Sequence, residues 1–193
     1  MKMDLILASK SGRRKQLLAE TGVEFKVICA ETDELSAGYC RGIALLNAIA
    51  KANAVAEDYP QALIIGADTV IEYENRVIGK PADRADAFAT IKSLSGKPHY
   101  VVTAICLINR SRNLECIFAE STRVFFRPLT DAVINEYLDQ VHVLDKAGAY
   151  AIQEYGDMII EKIEGPLDNV VGLPCAKLKT ALAACGFSTP IPQ

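Results

Sequence analysis

Histidine is scarce in this 193-residue chain, with only His99 and His142 present. That is too few for a His-rich zinc centre, so any metal falls to oxygen ligands, which suit magnesium or manganese. The six cysteines stand at 29, 40, 106, 116, 175 and 185, each at least ten residues from the next. This spacing excludes a Cys-x-x-Cys pair for zinc or dithiol chemistry and reads instead as small core residues in a reducing cytoplasm. A basic surplus is missing too. The net charge of −3, with no recognisable reading motif, argues against a general nucleic-acid binder while leaving room for a small anionic ligand. The apolar run Val101 to Ile108 falls far short of the ~20 residues a membrane-spanning helix needs, so no membrane partner is expected. The N-terminus lacks the charged-then-apolar layout of a secretory signal. No Pro/Ser-rich linker, run of like charge or internal repeat divides the chain. With 50% hydrophobic residues, residues 1–193 are expected to form a single domain, drawn out into two lobes or not, around a large core.

Strand and helix signals follow one another without strict order. DLILA (4–8) reads as a short buried strand, broken by Ser9-Lys10-Ser11-Gly12 before Arg13-Arg14-Lys15-Gln16-Leu17-Leu18 takes up helical spacing. EFKVI (24–28) predicts a second strand. Residues 39–58 predict a long alanine-rich helix with Ile43, Leu46, Ile49 and Ala50 at helical spacing, interrupted by Lys51 and Asn53 and ended by Pro60. ALIIGADTVIEY (62–73) has the length and β-branched content of a buried strand, and Glu74-Asn75 before RVIG predicts a tight hairpin. A helix over 83–94 is followed by two long strands, 99–109 and 114–126, expected to pair antiparallel. Beyond them lie a helix over 130–140, the glycine-broken DKAGAYAIQEYG (145–156), a strand over 158–163 and a last helix over 173–185. This irregular mixing predicts an α/β mixed (α+β) fold, helices flanking a sheet of mixed strand direction.

Three distant segments put charge where a packed core disfavours it. The strand-to-helix turn at 9–14 offers unpaired N–H groups and the positive end of a helix dipole. It adds the hydroxyls of Ser9 and Ser11 and the guanidinium forks of Arg13 and Arg14, a set that suits phosphate. The alternative is an ordinary N-cap at Ser11 beside solvated arginines. Asp68 sits inside a buried strand, where a carboxylate must be paired, hydrogen-bonded or metal-bound. In 114–126 the apolar face of Cys116, Phe118, Thr122, Val124 and Phe126 also carries Glu120, a second inward acid, with a buried ion pair as the competing reading. Lys51, Lys80 and Lys146 each adjoin small residues or turn breakers that let a ligand come close. These lysines and Arg13 and Arg14, set against Asp33, Glu34, Asp68 and Glu120, have the composition of a site for a metal-bound polyphosphate. The residues alone therefore lead to a metal-dependent phosphoryl-transfer enzyme.

The same segments resemble the Maf family of nucleoside triphosphate pyrophosphatases, also known as septum-inhibition proteins. LILASKSGRRKQLL is similar to the family's LASxSPRRxxLL opening, with Gly12 where proline is usual; IIGADTVI is similar to its GADTVV strand, and IGKPADRADA to GKPxDxxDA. LSGKPHYVVTA, ESTRVFF, DKAGAYAIQ and NVVGLP continue the likeness, which runs from Leu5 to about Leu178.

The resemblance implies the fold of the inosine triphosphate pyrophosphatases, elongated and two-lobed with a central cleft, and relatives that often form homodimers. It implies hydrolysis of a nucleoside triphosphate between the α and β phosphates, giving monophosphate and pyrophosphate with a divalent cation, Mg2+ or Mn2+. Asp68 matches the family's proton acceptor, and Glu34 and Lys80 match other active-site residues. Asp68 is thereby a water-activating base or a metal ligand, with Glu34 and Glu120 beside it on the cation. Arg13, Arg14, Lys51, Lys80 and Lys146 would clamp the triphosphate. Arg13, Thr69 and Gln153 match the specificity positions of the branch acting on dTTP and UTP, and Gln153 has the donor and acceptor to read the O4 and N3–H edge shared by uracil and thymine. The implied role is to keep modified nucleotides out of nucleic acid, with an influence on cell division. A pyrophosphatase for 7-methyl-GTP or modified purines, or a non-enzymatic septation regulator, is the alternative.

Overall fold

LILA is apolar at every position, and β1 (Leu5–Ala8) is accordingly buried on both faces. It lies inside a sheet, parallel to β2 (Lys26–Val27) on one side and to β3 (Leu63–Tyr73) on the other. β3 folds back through β4 (Arg76–Ile78) and pairs antiparallel with β5 (Pro98–Asn109); β5 pairs with β6 (Leu114–Phe126), and β6 with β7 (Ile160–Glu164). These strands make one seven-stranded sheet of mixed direction, ordered β2-β1-β3-β5-β6-β7 with β4 on β3, as the sequence predicts. The computed structural model describes residues 3–29, 31–36 and 38–187; both ends of the expected 1–193 domain fall outside them. Glu74 and Asn75 both take positive φ, which gives the β3–β4 turn the twist a two-residue hairpin needs.

Helices α1 (Gly12–Glu20), α3 (Arg84–Leu94) and α4 (Asp131–Gln140) begin where Ser11, Asp83 and Thr130 accept the N–H groups of Arg14, Asp86 and Val133. Helix α2 (Cys40–Ala56) covers one face of the sheet. There it packs on Ile6, Ile64, Val70, Val102 and Ala104. The opposite face carries two clusters. At one end, α1 and α7 (Cys175–Ala184) cover Leu7, Leu63, Ile65, Ile105 and Leu107. At the other, α3, α4 and α5 (Gly156–Ile159) cover Ile71, Val101, Val124 and Phe126. Two lobes thus share one sheet, with a cleft between them. In the second lobe His99 lies edge-on to Phe126 and Tyr150, its Nε2 2.8 Å from the Tyr150 hydroxyl. Burial pushes the His99 imidazole down to about 4, so it serves as a neutral strut for the Tyr150 wall of the cleft.

Four expectations need correction. EFKVI yields only the two-residue β2. The strand expected over 158–163 begins at Ile160, because α5 claims the two residues before it. The last helix starts at Cys175 rather than 173, and a separate short helix, α6 (Leu167–Val171), precedes it between Pro166 and Gly172. The face that α2 buries is also rotated from the expected stripe: Leu46 is 53% exposed, whereas Ala44, Asn47, Ala48, Lys51 and Ala52 are buried.

The cause of that rotation is Gly66. A Cβ there would overlap the Ala48 carbonyl oxygen and lie 2.7 Å from the Ala52 nitrogen, so α2 approaches β3 through small residues, backbone against backbone. Gly66→Ala is expected to cost about 1–3 kcal/mol by overpacking. Its melting temperature should fall by roughly 2–4 °C for each of those kcal/mol. Thermal unfolding within a degree of the parent would show that α2 does not need this contact.

Candidate active site

β1 ends at Ala8, opposite Gly66, and β4 covers β3 only from Ile71 to Tyr73. Among the described residues, 67–70 of β3 therefore have a strand neighbour on one edge only. Their other edge opens into a cleft of about 650 Å³. Successive side chains of a strand point to opposite faces, so Asp68 reaches the cleft from the α2 side and Thr69 from the other.

The turn out of β1 supplies the rim. Ser9 Oγ accepts the N–H of Ser11 at 3.2 Å, and Ser11 Oγ accepts that of Arg14 at 3.4 Å. Ser11 is thus an N-cap, and Gly12 and Arg13 line the cleft at the start of α1, where a helix offers unpaired N–H groups. Six cations line this space (Lys10, Arg13, Arg14, Lys51, Lys80, Lys146) against four carboxylates (Glu31, Glu34, Asp68, Asp145). The cleft is positive in a chain of net charge −3, which draws anions to it.

Lys51 is the hub. Only 8% exposed, its Nζ donates to Asp68 Oδ1 at 2.7 Å and meets Glu34 Oε1 at 2.7 Å. Lys80 reaches Glu34 Oε2 from across the cleft at 3.8 Å. Partial burial raises the Glu34 carboxyl, but the hydrogen bond and charge of Lys51, with Lys80 and Arg14 behind it, outweigh this and hold it below its ordinary range. Asp68, itself 6% exposed, receives a second hydrogen bond from Asn47 Nδ2 to Oδ2 at 3.0 Å. Each of its oxygens keeps a lone pair for water or a cation.

Arg14 is anchored across the cleft floor. Its Nε donates to the Gly172 carbonyl at 2.9 Å, one terminal nitrogen to Thr69 Oγ1 at 2.8 Å and the other to Ser9 Oγ at 3.4 Å. Burial pushes its pKa down, opposed by the charge of Asp68, yet a guanidinium stays protonated at neutral pH. Thr103 Oγ1 gives its single hydrogen to the Asn169 carbonyl at 2.9 Å, so in the 2.9 Å pair of hydroxyls Thr69 Oγ1 donates to Thr103 Oγ1 while accepting from Arg14. The Thr69 hydroxyl thus joins Arg14 to the Thr103–Asn169 pair.

On the second lobe, Lys146 is 6% exposed and its ammonium is tied to the His142 carbonyl and to Asp145 at 3.0 Å, with Glu154 at 3.7 Å. Asp145 also stands 4.0 Å from Arg13 of the first lobe. Some desolvation raises the Asp145 carboxyl, but its hydrogen bond to Lys146 prevails and lowers it. Gln153 is exposed at the rim, beside walls made by Ile71, Val101 and Ile152.

The structure gathers Ser9, Ser11, Arg13, Arg14, Glu34, Lys51, Asp68, Thr69, Lys80, Lys146 and Gln153 around one cleft. It does not bring Glu120 there. That side chain does point inward, but from β6, two strands away from the open edge of β3, and its carboxylate lies 3.2 Å from Lys177 of α7; the ion pair is what the geometry shows. Asp33 is exposed and stands outside the lining. Asn47, Asp145 and Thr103, together with Lys10 and Glu31 on the lining, are residues that sequence reasoning missed. For Asn47 the signal was available, because it precedes Lys51 by one helical turn on an otherwise alanine-rich face.

Among the described residues, no group of three or more His, Cys, Asp or Glu is placed to hold a metal ion. Two carboxylates do converge on one positive point, the ammonium of Lys51. Carboxylate oxygens are the donors a divalent cation takes, and Glu34 and Asp68 are the residues that would hold one here.

Known proteins share this sequence across nearly its whole length. The chain is 41% identical over 187 residues to the dTTP/UTP pyrophosphatase of Akkermansia muciniphila, covering 95% of this chain and 97% of the relative. It is 38% identical over 191 residues to the dTTP/UTP pyrophosphatase of Dictyoglomus thermophilum, covering 97% and 99%. With the dTTP/UTP pyrophosphatase of Bdellovibrio bacteriovorus it shares 41% over 190 residues, covering 95% and 99%. Residues 4–185 match the family described as Maf-like protein, and with relatives this similar from end to end the chain belongs to that family.

Proposed function

We propose that the protein is a hydrolase that cleaves dTTP and UTP, and modified pyrimidine analogues, between the α and β phosphates. The observation that carries this reading is the convergence of Glu34 and Asp68 on Lys51 beneath a cation-lined cleft, in a chain whose relatives bear the name dTTP/UTP pyrophosphatase. The triphosphate enters over the start of α1, where Arg13, Ser9 and the first N–H groups of the helix meet it, with Lys80 on the far side. Lys51 has three N–H donors and gives two to the acids, leaving one for phosphate. Arg14, clamped by Gly172 and Thr69, presents its remaining donors from a fixed position. Asp68 orients the attacking water and takes its proton as pyrophosphate leaves, an assignment its free lone pairs allow. A divalent cation, Mg2+ or Mn2+, held by Glu34 and Asp68 would neutralise charge on the phosphates.

The apolar walls at Ile71, Val101 and Ile152 suit a base, and Gln153 beside them offers both a donor and an acceptor to the edge shared by uracil and thymine. The unbroken sheet beneath both lobes supports a single working domain. All six cysteines are free, as suits the reducing cytoplasm, and among the described residues no helix is long and apolar enough to cross a membrane.

Purified protein incubated with dTTP and a magnesium salt should yield dTMP and pyrophosphate in equal amounts. Orthophosphate as the first product would eliminate this reaction. In a parallel panel, dTTP and UTP should outrun CTP and 7-methyl-GTP; a preference for 7-methyl-GTP would move the assignment to the purine alternative.

A further inference from the structure

Asn47 is 4% exposed, one turn before Lys51 on the buried face of α2. Its carboxamide makes three hydrogen bonds: Oδ1 accepts the N–H of Leu35 at 2.8 Å, and Nδ2 donates at 3.0 Å both to the Leu35 carbonyl and to Asp68 Oδ2. The two main-chain groups of Leu35 decide which way the amide faces. An N–H only donates and a C=O only accepts, so oxygen must meet the first and nitrogen the second. The other hydrogen of Nδ2 is then left for Asp68.

Leu35 directly follows Glu34, and residues 31–36 form neither helix nor strand. Among the described residues, no ladder of backbone hydrogen bonds within this segment fixes where Glu34 stands. One rigid side chain on a packed helix grips the main chain beside one acid and the carboxylate of the other. We infer that Asn47 is a positioning residue that sets the separation and orientation of Glu34 and Asp68, so that both carboxylates face the same point. Lys51 also touches both acids, but its four-carbon stem is flexible and its ammonium imposes no direction. If Lys51 alone gathered the acids, Asn47 would be dispensable.

The catalytic consequence rests on the hydrolase reading; the geometry does not. The test compares Asn47→Ala and the near-isosteric Asn47→Asp with the parent protein. Without nucleotide or metal, hydrogen exchange at the Leu35 amide, followed by NMR, should accelerate at least tenfold in Asn47→Ala. In dTTP hydrolysis, kcat should fall about 10–100-fold and the Mn2+ concentration for half activity should rise about tenfold, as for other groups that orient metal-binding carboxylates. KM for dTTP should stay within about threefold, since the phosphate-facing cations are untouched. Asn47→Asp keeps the size and the acceptor for the Leu35 N–H but turns lone pairs toward Asp68 and the Leu35 carbonyl, and should be no better than Asn47→Ala.

Unchanged Leu35 exchange in a folded Asn47→Ala protein overturns the inference. So does an Asn47→Asp enzyme that keeps the parent's kcat and metal requirement, because donation to Asp68 would then play no part. Should the parent release no pyrophosphate from any nucleotide, the hydrolase reading falls, and Leu35 exchange still decides whether Asn47 positions the loop.

Discussion

Replacing Asp68 by asparagine should lower kcat for dTTP hydrolysis by about 10²–10⁴-fold, the range a positioned general base supplies, while KM changes little. Size is preserved, so the effect is electrostatic. In the native site both oxygens of Asp68 face donors, Lys51 Nζ at 2.7 Å and Asn47 Nδ2 at 3.0 Å. An amide has one oxygen for two such donors and turns its own N–H toward the other. Nor can an amide take a proton from water or balance the charge of Lys51. Arg13 and Lys80, which line the cleft, are untouched, so binding should survive. Pyrophosphate release at saturating dTTP, with thermal unfolding to confirm the fold, measures this. A rate within tenfold of the parent would remove Asp68 from the chemistry and leave the cleft as a binding site only.

Asp68 was also the most legible residue in the sequence, for a physical reason. A carboxylate in a β-branched run contradicts its local surroundings, and such contradictions collect where a site needs a charge. Lys51 gave a weaker form of the same signal within an alanine-rich helix. Asn47 on the same buried face was passed over because an uncharged amide costs far less to bury once hydrogen-bonded and so contradicts its surroundings less. Glu120 shows what strand alternation leaves open. Alternation along β6 places it inward correctly, but inwardness says nothing about which lobe it meets, and α7 brings Lys177 to it. The long strands and the capped helices were readable because period, caps and the Glu74-Asn75 turn are local. The gap between β1 and β4 along β3 was not readable: it depends on where two other strands stop, and it is that gap which lets Asp68 and Thr69, on opposite faces, open into one cleft. Gly66 belongs with these non-local features, since its need for a bare backbone comes from α2.

Lys51→Met should be the most destabilising change in the site, by about 3–5 kcal/mol, the penalty for stranding one member of a buried ion pair. Its two acids do not share the loss equally. The Glu34 side chain is 44% exposed and can turn to water, whereas that of Asp68 is 9% exposed and would keep only Asn47. The penalty therefore resides at Asp68. It follows that Asp68→Asn introduced into Lys51→Met should restore part of the lost stability, since the orphaned charge goes with it, although each substitution alone removes a native hydrogen bond. A double-mutant cycle by urea unfolding isolates this coupling. If the double variant were less stable than Lys51→Met by the full cost of Asp68→Asn alone, the two charges would be independent, and Lys51 would not be what holds the Asp68 side chain buried at the open edge of β3.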